Sequence, residues 1–157
     1  MVEKVEYLTP EGKASLEKKL EYLINVRRPE VAERLKLALE DGGELVENNQ
    51  YEEAKNEQAF VEAEITRASQ ILRNAMIIED TGATDTIQIG SKVTVTERGT
   101  KETEDYRLVG PAEANPRQGK ISIESPLGQA LVGQKVGDKV TISAPDGDLT
   151  FVIKSIN

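Results

Sequence analysis

The sequence predicts an α+β protein, with a helical hairpin in its first half and a small antiparallel sheet domain in its second. Three observations carry this. Apolar residues in the first half recur at spacings of three and four, and in the second half they alternate with period two. The chain of 157 residues also holds no Trp and only two Phe. A globule of that length carries more aromatic mass in its core. A helical part with a thin seam in place of a core accounts for the deficit.

Thr9-Pro10-Glu11 reads as a helix start, with Thr9 as N-cap, Pro10 in the first helical position and Glu11 in the favourable first turn. Leu16, Leu20 and Leu23 follow at four and three. Val31, Leu35, Ala38 and Gly42 resume the pattern. The step from 23 to 31 is a stutter in the heptad, and Pro29 falls inside it. One helix is predicted from about 10 to 41, bent near Pro29, and ended by Gly42-Gly43. The second helix is cleaner. Tyr51, Ala54, Gln58, Val61, Ile65, Ala68, Leu72 and Ala75 repeat without a fault, a coiled-coil seam with Asn48 or Asn49 as its N-cap. Two such helices on a short loop make an antiparallel hairpin over residues 1–79. About 30 residues per helix gives a rod of roughly 45 Å.

Residues 79–86 read as a polar linker, and 80–157 as the second domain. Val93 and Val95 mark a first strand, Tyr106 and Leu108 a second, and Ile121 and Ile123 a third. Val140 and Ile142 mark a fourth, and Leu149, Phe151 and Ile153 a fifth. Pro145-Asp146-Gly147 supplies a tight turn. Ser125-Pro126-Leu127-Gly128-Gln129-Ala130-Leu131 reads as a short capped helix.

Composition excludes whole classes of chemistry. With no Cys and no His, disulfides, thiol chemistry, the usual zinc ligands and His-based nucleophilic systems are all absent. Acid–base or metal chemistry must rest on carboxylates, Lys or Tyr. No apolar run approaches membrane-spanning length and no signal-peptide core precedes the first helix, which points to the cytoplasm. The net charge is −8, and the window 40–64 carries nine acidic residues against Lys55 alone. That window repels nucleic-acid phosphates unless a cation intervenes. Within it, Glu44 and Glu47 lie three residues apart at the turn of the hairpin. The plain reading of such residues is a polar loop that favours the following helix dipole, and Asp41 reads as a solvated end of the first helix.

The residues also resemble a family. Leu8-Thr9-Pro10-Glu11-Gly12, Arg28-Pro29-Glu30-Val31-Ala32-Glu33 and Glu44-Leu45-Val46-Glu47-Asn48, with Tyr51, Ala54 and Lys55, match the bacterial GreA/GreB transcript-cleavage factors in order and spacing. So do Ile89-Gly90-Ser91-Lys92-Val93, Leu108-Val109-Gly110-Pro111 with Glu113-Ala114, Gly119-Lys120-Ile121-Ser122, Ser125-Pro126-Leu127-Gly128 and Val136-Gly137-Asp138. The resemblance spans nearly the whole chain. It implies a coiled-coil hairpin and an FKBP-like C-terminal domain, with RNA polymerase as the partner and a monomeric factor. It also implies that the C-terminal domain docks at the rim of the polymerase secondary channel, while the hairpin enters that channel. The tip then helps the polymerase active site cleave the 3′ end of backtracked nascent RNA.

By position, Glu44 corresponds to the family's tip Asp, the ligand of a polymerase-borne Mg²⁺, and Glu47 to the group that orients water. Asn48, Tyr51 and Lys55 match positions near the RNA. Ser125, Pro126, Leu127 and Gly128 match a polymerase-docking segment, for which helix capping is the alternative role. For Lys55 the alternative is a pair with Glu52. The chemistry agrees with this assignment. Two carboxylates do not make a Mg²⁺ cage, but they can complete one that a partner supplies, one as ligand and one orienting the attacking water. The factor then brings no cofactor of its own and is not itself an enzyme.

The chain departs from the family at Glu44, where Asp is usual, at Val46, at Gln50 and at Glu40. A longer tip carboxylate keeps a second reading open, a channel-binding paralogue that inhibits or competes without stimulating cleavage. A free-standing prolyl isomerase or chaperone fits poorly, because residues 80–157 hold one Phe and one Tyr, too few to line a proline pocket.

Overall fold

The computed structural model describes residues 4–41, 49–79 and 82–157. The chain is α+β, and it divides into two compact units. Lys13–Asn74 form one, and the residues up to Gly12 together with Ala75–Asn157 form the other.

The helical unit follows the predicted seam closely. Helix α1 spans Pro10–Tyr22, a π turn spans Leu23–Arg27, and α2 spans Arg28–Asp41. Helix α3 spans Asn49–Arg73, so its cap position falls on Asn48, outside the described residues. The predicted end at Gly42-Gly43 lies outside them too. The irregularity expected at Pro29 sits one turn earlier. The Arg28 N–H donates to the Leu23 carbonyl, five residues back, and that wider turn takes up the one residue by which the 23-to-31 step exceeds a heptad. Leu23 and Val31 therefore both reach the seam. They cluster with Val61 and Ile65, and Leu20 packs alongside. Ala38, Ala54 and Ala68 fill the narrower levels. Ala75, predicted as the last seam position, instead belongs to a strand.

Ion pairs fix the antiparallel direction of the hairpin, since residues later in α1–α2 pair with residues earlier in α3. Lys19 Nζ lies 2.9 Å from Glu64, Arg28 grips Glu62 through two bonds of 2.7 and 2.9 Å, and Glu57 accepts from both Arg27 and Arg34.

In the other unit, β1 (Glu6–Leu8) pairs in parallel with β2 (Ala75–Ile77). The sequence predicts neither, because three residues are too few to establish a period. The main sheet is built from β3 (Lys92–Glu97), β4 (Thr103–Val109), β5 (Lys120–Ser122), β6 (Lys139–Ala144) and β7 (Gly147–Ile156), in the order β5-β4-β3-β7-β6. The pairs are antiparallel except β4 with β5. That pair runs parallel because two 3-10 turns, Pro111–Glu113 and Pro116–Gln118, carry the chain back before β5 begins. Ile123 lies just past β5. Helix α4 spans Pro126–Leu131. Ile87, Val93, Val95, Leu108, Leu131, Val140, Phe151, Ile153 and Ile156 make the core. Ile87 belongs to it even though the segment before it reads as a linker, and Gln134 is what holds it there, through a 2.9 Å backbone bond to the Ile87 N–H.

Candidate functional site

The connection between α2 and α3 is residues 42–48. The two tip carboxylates, Glu44 and Glu47, with Val46 and Asn48, fall in it and lie outside the described residues. The flanking turns are described. Ala38 and Ala54 are buried, at 4% and 1% exposure, which brings α2 and α3 close together just before the connection. Tyr51 is half-buried and Lys55 is exposed. Among the described residues Lys55 forms no ion pair with Glu52, and it is an exposed residue on the first turns of α3. A surface recess between the helices is lined by Arg34, Leu37, Ala38, Gln50 and Glu53.

Arginine and lysine hold the stem carboxylates ionised. The Arg28 hydrogen bond, and then its charge, lower the pKa of Glu62. The Lys19 hydrogen bond and charge do the same for Glu64. Among the described residues no group of three or more His, Cys, Asp or Glu side chains is placed to hold a metal ion.

The predicted docking segment is built as a capped turn. Ser125 Oγ accepts the Gly128 N–H at 3.0 Å and donates to the Ser122 carbonyl at 2.7 Å. Pro126 sits in the first turn of α4, where its missing N–H costs nothing. Leu127 turns inward against the core. Gly128 is buried, and a Cβ there would overlap the Ser122 carbonyl oxygen. Of the four residues only Pro126 is exposed. Glu124, just before them, holds Lys4 at 3.0 Å.

An apolar recess of about 510 Å³ lies beside this turn, and sequence reasoning misses it. Tyr7, Ile87, Ile89, Ile123 and Val132 supply most of its wall. They come from β1, from the segment before β3 and from either end of α4, and no single stretch of sequence carries a signal for that meeting. Val132 and Val136 are exposed at 41% and 57% on the same part of the chain.

In the sequence Glu113 is a matching residue without a role. The structure gives it one. Its side chain, 6% exposed, accepts the Thr9 N–H at 2.9 Å and also the Thr9 hydroxyl.

A helical hairpin with a thin seam and a separate small curled sheet unit define a class, and comparison with known proteins identifies it. The family model described as transcription elongation factor, GreA/GreB, C-term matches residues 82–157, and the one described as transcription elongation factor, N-terminal matches residues 6–77. The chain belongs to the GreA/GreB family of transcription elongation factors. It is 49% identical to transcription elongation factor GreA of Bacillus licheniformis over 99% of this chain and 98% of that protein. With GreA of Macrococcus caseolyticus it shares 51% identity over 90% of this chain and 89% of that one. Among solved structures, GreA factor homolog 1 (Gfh1) of Thermus thermophilus is 32% identical, covering 98% of this chain and 99% of that one at a TM-score of 0.46.

Proposed function

We propose that this protein is a transcription elongation factor that docks on RNA polymerase through the sheet unit, inserts its hairpin into the secondary channel and stimulates 3′ cleavage of backtracked nascent RNA. The observation that carries this reading is the near-half identity to curated GreA proteins along almost the whole chain. Glu44 serves as one oxygen ligand of a Mg²⁺ shared with the polymerase active site. Glu47 orients and deprotonates the attacking water. A Mg²⁺ bound there would lower the pKa of that water and stabilise the charge that develops on the phosphate. Asn48, Tyr51 and Lys55 approach the RNA, with exposed Lys55 meeting phosphate. Pro126 and the neighbouring apolar recess meet the polymerase, while Ser125, Leu127 and Gly128 hold that surface in shape.

Two carboxylates cannot perform this chemistry alone, so the purified protein is expected to leave RNA intact. Added with Mg²⁺ to a stalled, backtracked elongation complex, it is expected to shorten the transcript from the 3′ end. Transcripts that stay intact while the protein binds polymerase would replace this reading with that of a competitor for the channel. Glu44 in place of Asp is the residue that favours the competitor reading.

A further inference from the structure

In a capping box, the Ser or Thr N-cap accepts the N–H of the third helical residue, and a Glu or Gln at that third position reaches back to the N–H of the cap. Helix α1 has half of this device. Thr9 Oγ accepts the Gly12 N–H at 3.0 Å, but Gly12 has no side chain to return the bond. Glu113, 104 residues away, returns it instead, with Oε2 on the Thr9 N–H at 2.9 Å and Oε1 on the Thr9 hydroxyl. Lys120 Nζ stands 3.7 Å from the same carboxylate. The buried charge is thus both hydrogen-bonded and paired, as a buried carboxylate must be.

Gly12 and Glu113 compete for the same space. A Cβ at residue 12 would come 2.5 to 2.7 Å from the three carboxyl atoms of Glu113. The chain therefore forgoes a local cap and accepts one from the turn that follows β4. A local cap would stabilise the helix equally well. What the remote cap adds is a fixed connection, inside the sheet unit, between the first turn of α1 and the turn that follows β4.

We propose that Glu113 is a positioning residue for stimulated cleavage: within the sheet unit it holds the first turn of α1, from which the helix continues, against the turn that follows β4, and the glycine at position 12 exists to admit it. This rests on the cleavage reading above. The test separates capping from anchoring. E113A removes both. G12E combined with E113A rebuilds the box locally in the vacated space and leaves the anchor missing. Each full-length protein is titrated against a backtracked elongation complex, and amide exchange is followed in the first turn of α1.

For E113A we expect exchange in that turn to accelerate about tenfold or more, and maximal cleavage to fall about tenfold or more, with the half-saturating concentration within about threefold of the unsubstituted protein. The double variant should recover slow exchange without recovering cleavage. Recovery of both would mean that Glu113 only caps, and would overturn the proposal. Full cleavage by E113A would overturn it as well. If the unsubstituted protein itself gives no cleavage, it is the cleavage reading that fails, and this inference with it. Should E113A not fold, E113Q, which keeps the shape and one acceptor oxygen, is expected to show the same split between rate and half-saturation at smaller size. An unchanged rate in E113Q, with first-turn exchange accelerated, would count against anchoring.

Discussion

The two units bury apolar surface in different ways. The sheet unit closes a cluster of nine buried residues, several at 0% or 1% exposure. The helical unit has four residues in its cluster and lets alanine fill the rest of the seam. It also leaves Leu37, Leu39 and Phe60 exposed, Phe60 at 65%. Its cross-helix ion pairs are exposed or only partly buried, and exposed pairs contribute little. The sheet unit thus has a core of its own, while the hairpin is held by a thin row of contacts. On the function proposed above, a hairpin that enters a partner needs that thinness, and it has little stability in reserve.

This contrast in packing predicts unequal responses to truncation. Leu108→Ala removes a side chain at 0% exposure from the centre of the sheet core, and should cost about 2–5 kcal/mol. Ile65→Ala removes a seam residue at 8% exposure, and should fall toward the lower end of that range because two helices can close on the gap. Denaturant unfolding followed by amide exchange in each unit measures both. Equal losses spread over both units would show that they fold as one and would remove the contrast.

Function should divide along the same line. Glu47→Ala is expected to lower stimulated cleavage roughly a hundredfold, in the range of a lost general base, with polymerase binding retained. Activity near the unsubstituted level would take Glu47 out of the mechanism. Glu44→Asp tests the extra methylene, which displaces the carboxylate by about 1 Å, a shift that can matter a hundredfold in rate. Faster cleavage in that variant would mark the longer side chain as a handicap. On the docking side, Gly128→Ala pushes against the Ser122 carbonyl. It should destabilise the sheet unit by about 1–3 kcal/mol and weaken polymerase binding before it touches the chemistry. A loss of cleavage at saturating concentration would contradict that division.

Much of the hairpin and of the capped turn at the start of α4 is legible in the amino-acid sequence. The α3 seam is visible because a heptad leaves a periodic mark, and every predicted seam position within α3 is buried or half-buried. The Ser125 cap is legible because Ser-Pro at a helix start has one local meaning. What stays hidden depends on distant partners. β1 and β2 are three residues each and are strands only because they meet each other. The recess beside α4 draws its walls from three separate segments. The stutter foreshadows the π turn, but Pro29 points to the turn after it. Glu113 looks like one matching letter, because nothing local announces a carboxylate that caps a helix 104 residues away.

The smallest expected effect is electrostatic, and it separates the units by pH. Glu62 and Glu64 titrate below the ordinary carboxylate value of 4.5, chiefly because Arg28 and Lys19 hydrogen-bond to them. A carboxyl whose folded pKa is depressed contributes stability that is complete above its unfolded value and is lost as pH falls through the folded one. The hairpin should therefore begin to lose helicity as pH drops below about 4.5, and less steeply in high salt, since Arg28, Glu62 and Lys19 are exposed. The sheet unit has the same kind of group in Glu11, lowered mainly by its own backbone N–H, but its larger sensitivity lies at the other end. Burial, and then the hydrogen bond to Glu104, push Tyr106 up to about 12. The folded state keeps that proton longer than the unfolded one, so stability is lost as pH rises from about 10 toward 12. Arg28→Ala should move the acid midpoint of far-UV helicity upward and leave the alkaline limb alone. Tyr106→Phe should flatten the alkaline limb and leave the acid midpoint alone. If either substitution moves both limbs together, the two units share one electrostatic response, and the contrast drawn from their packing does not extend to their charges.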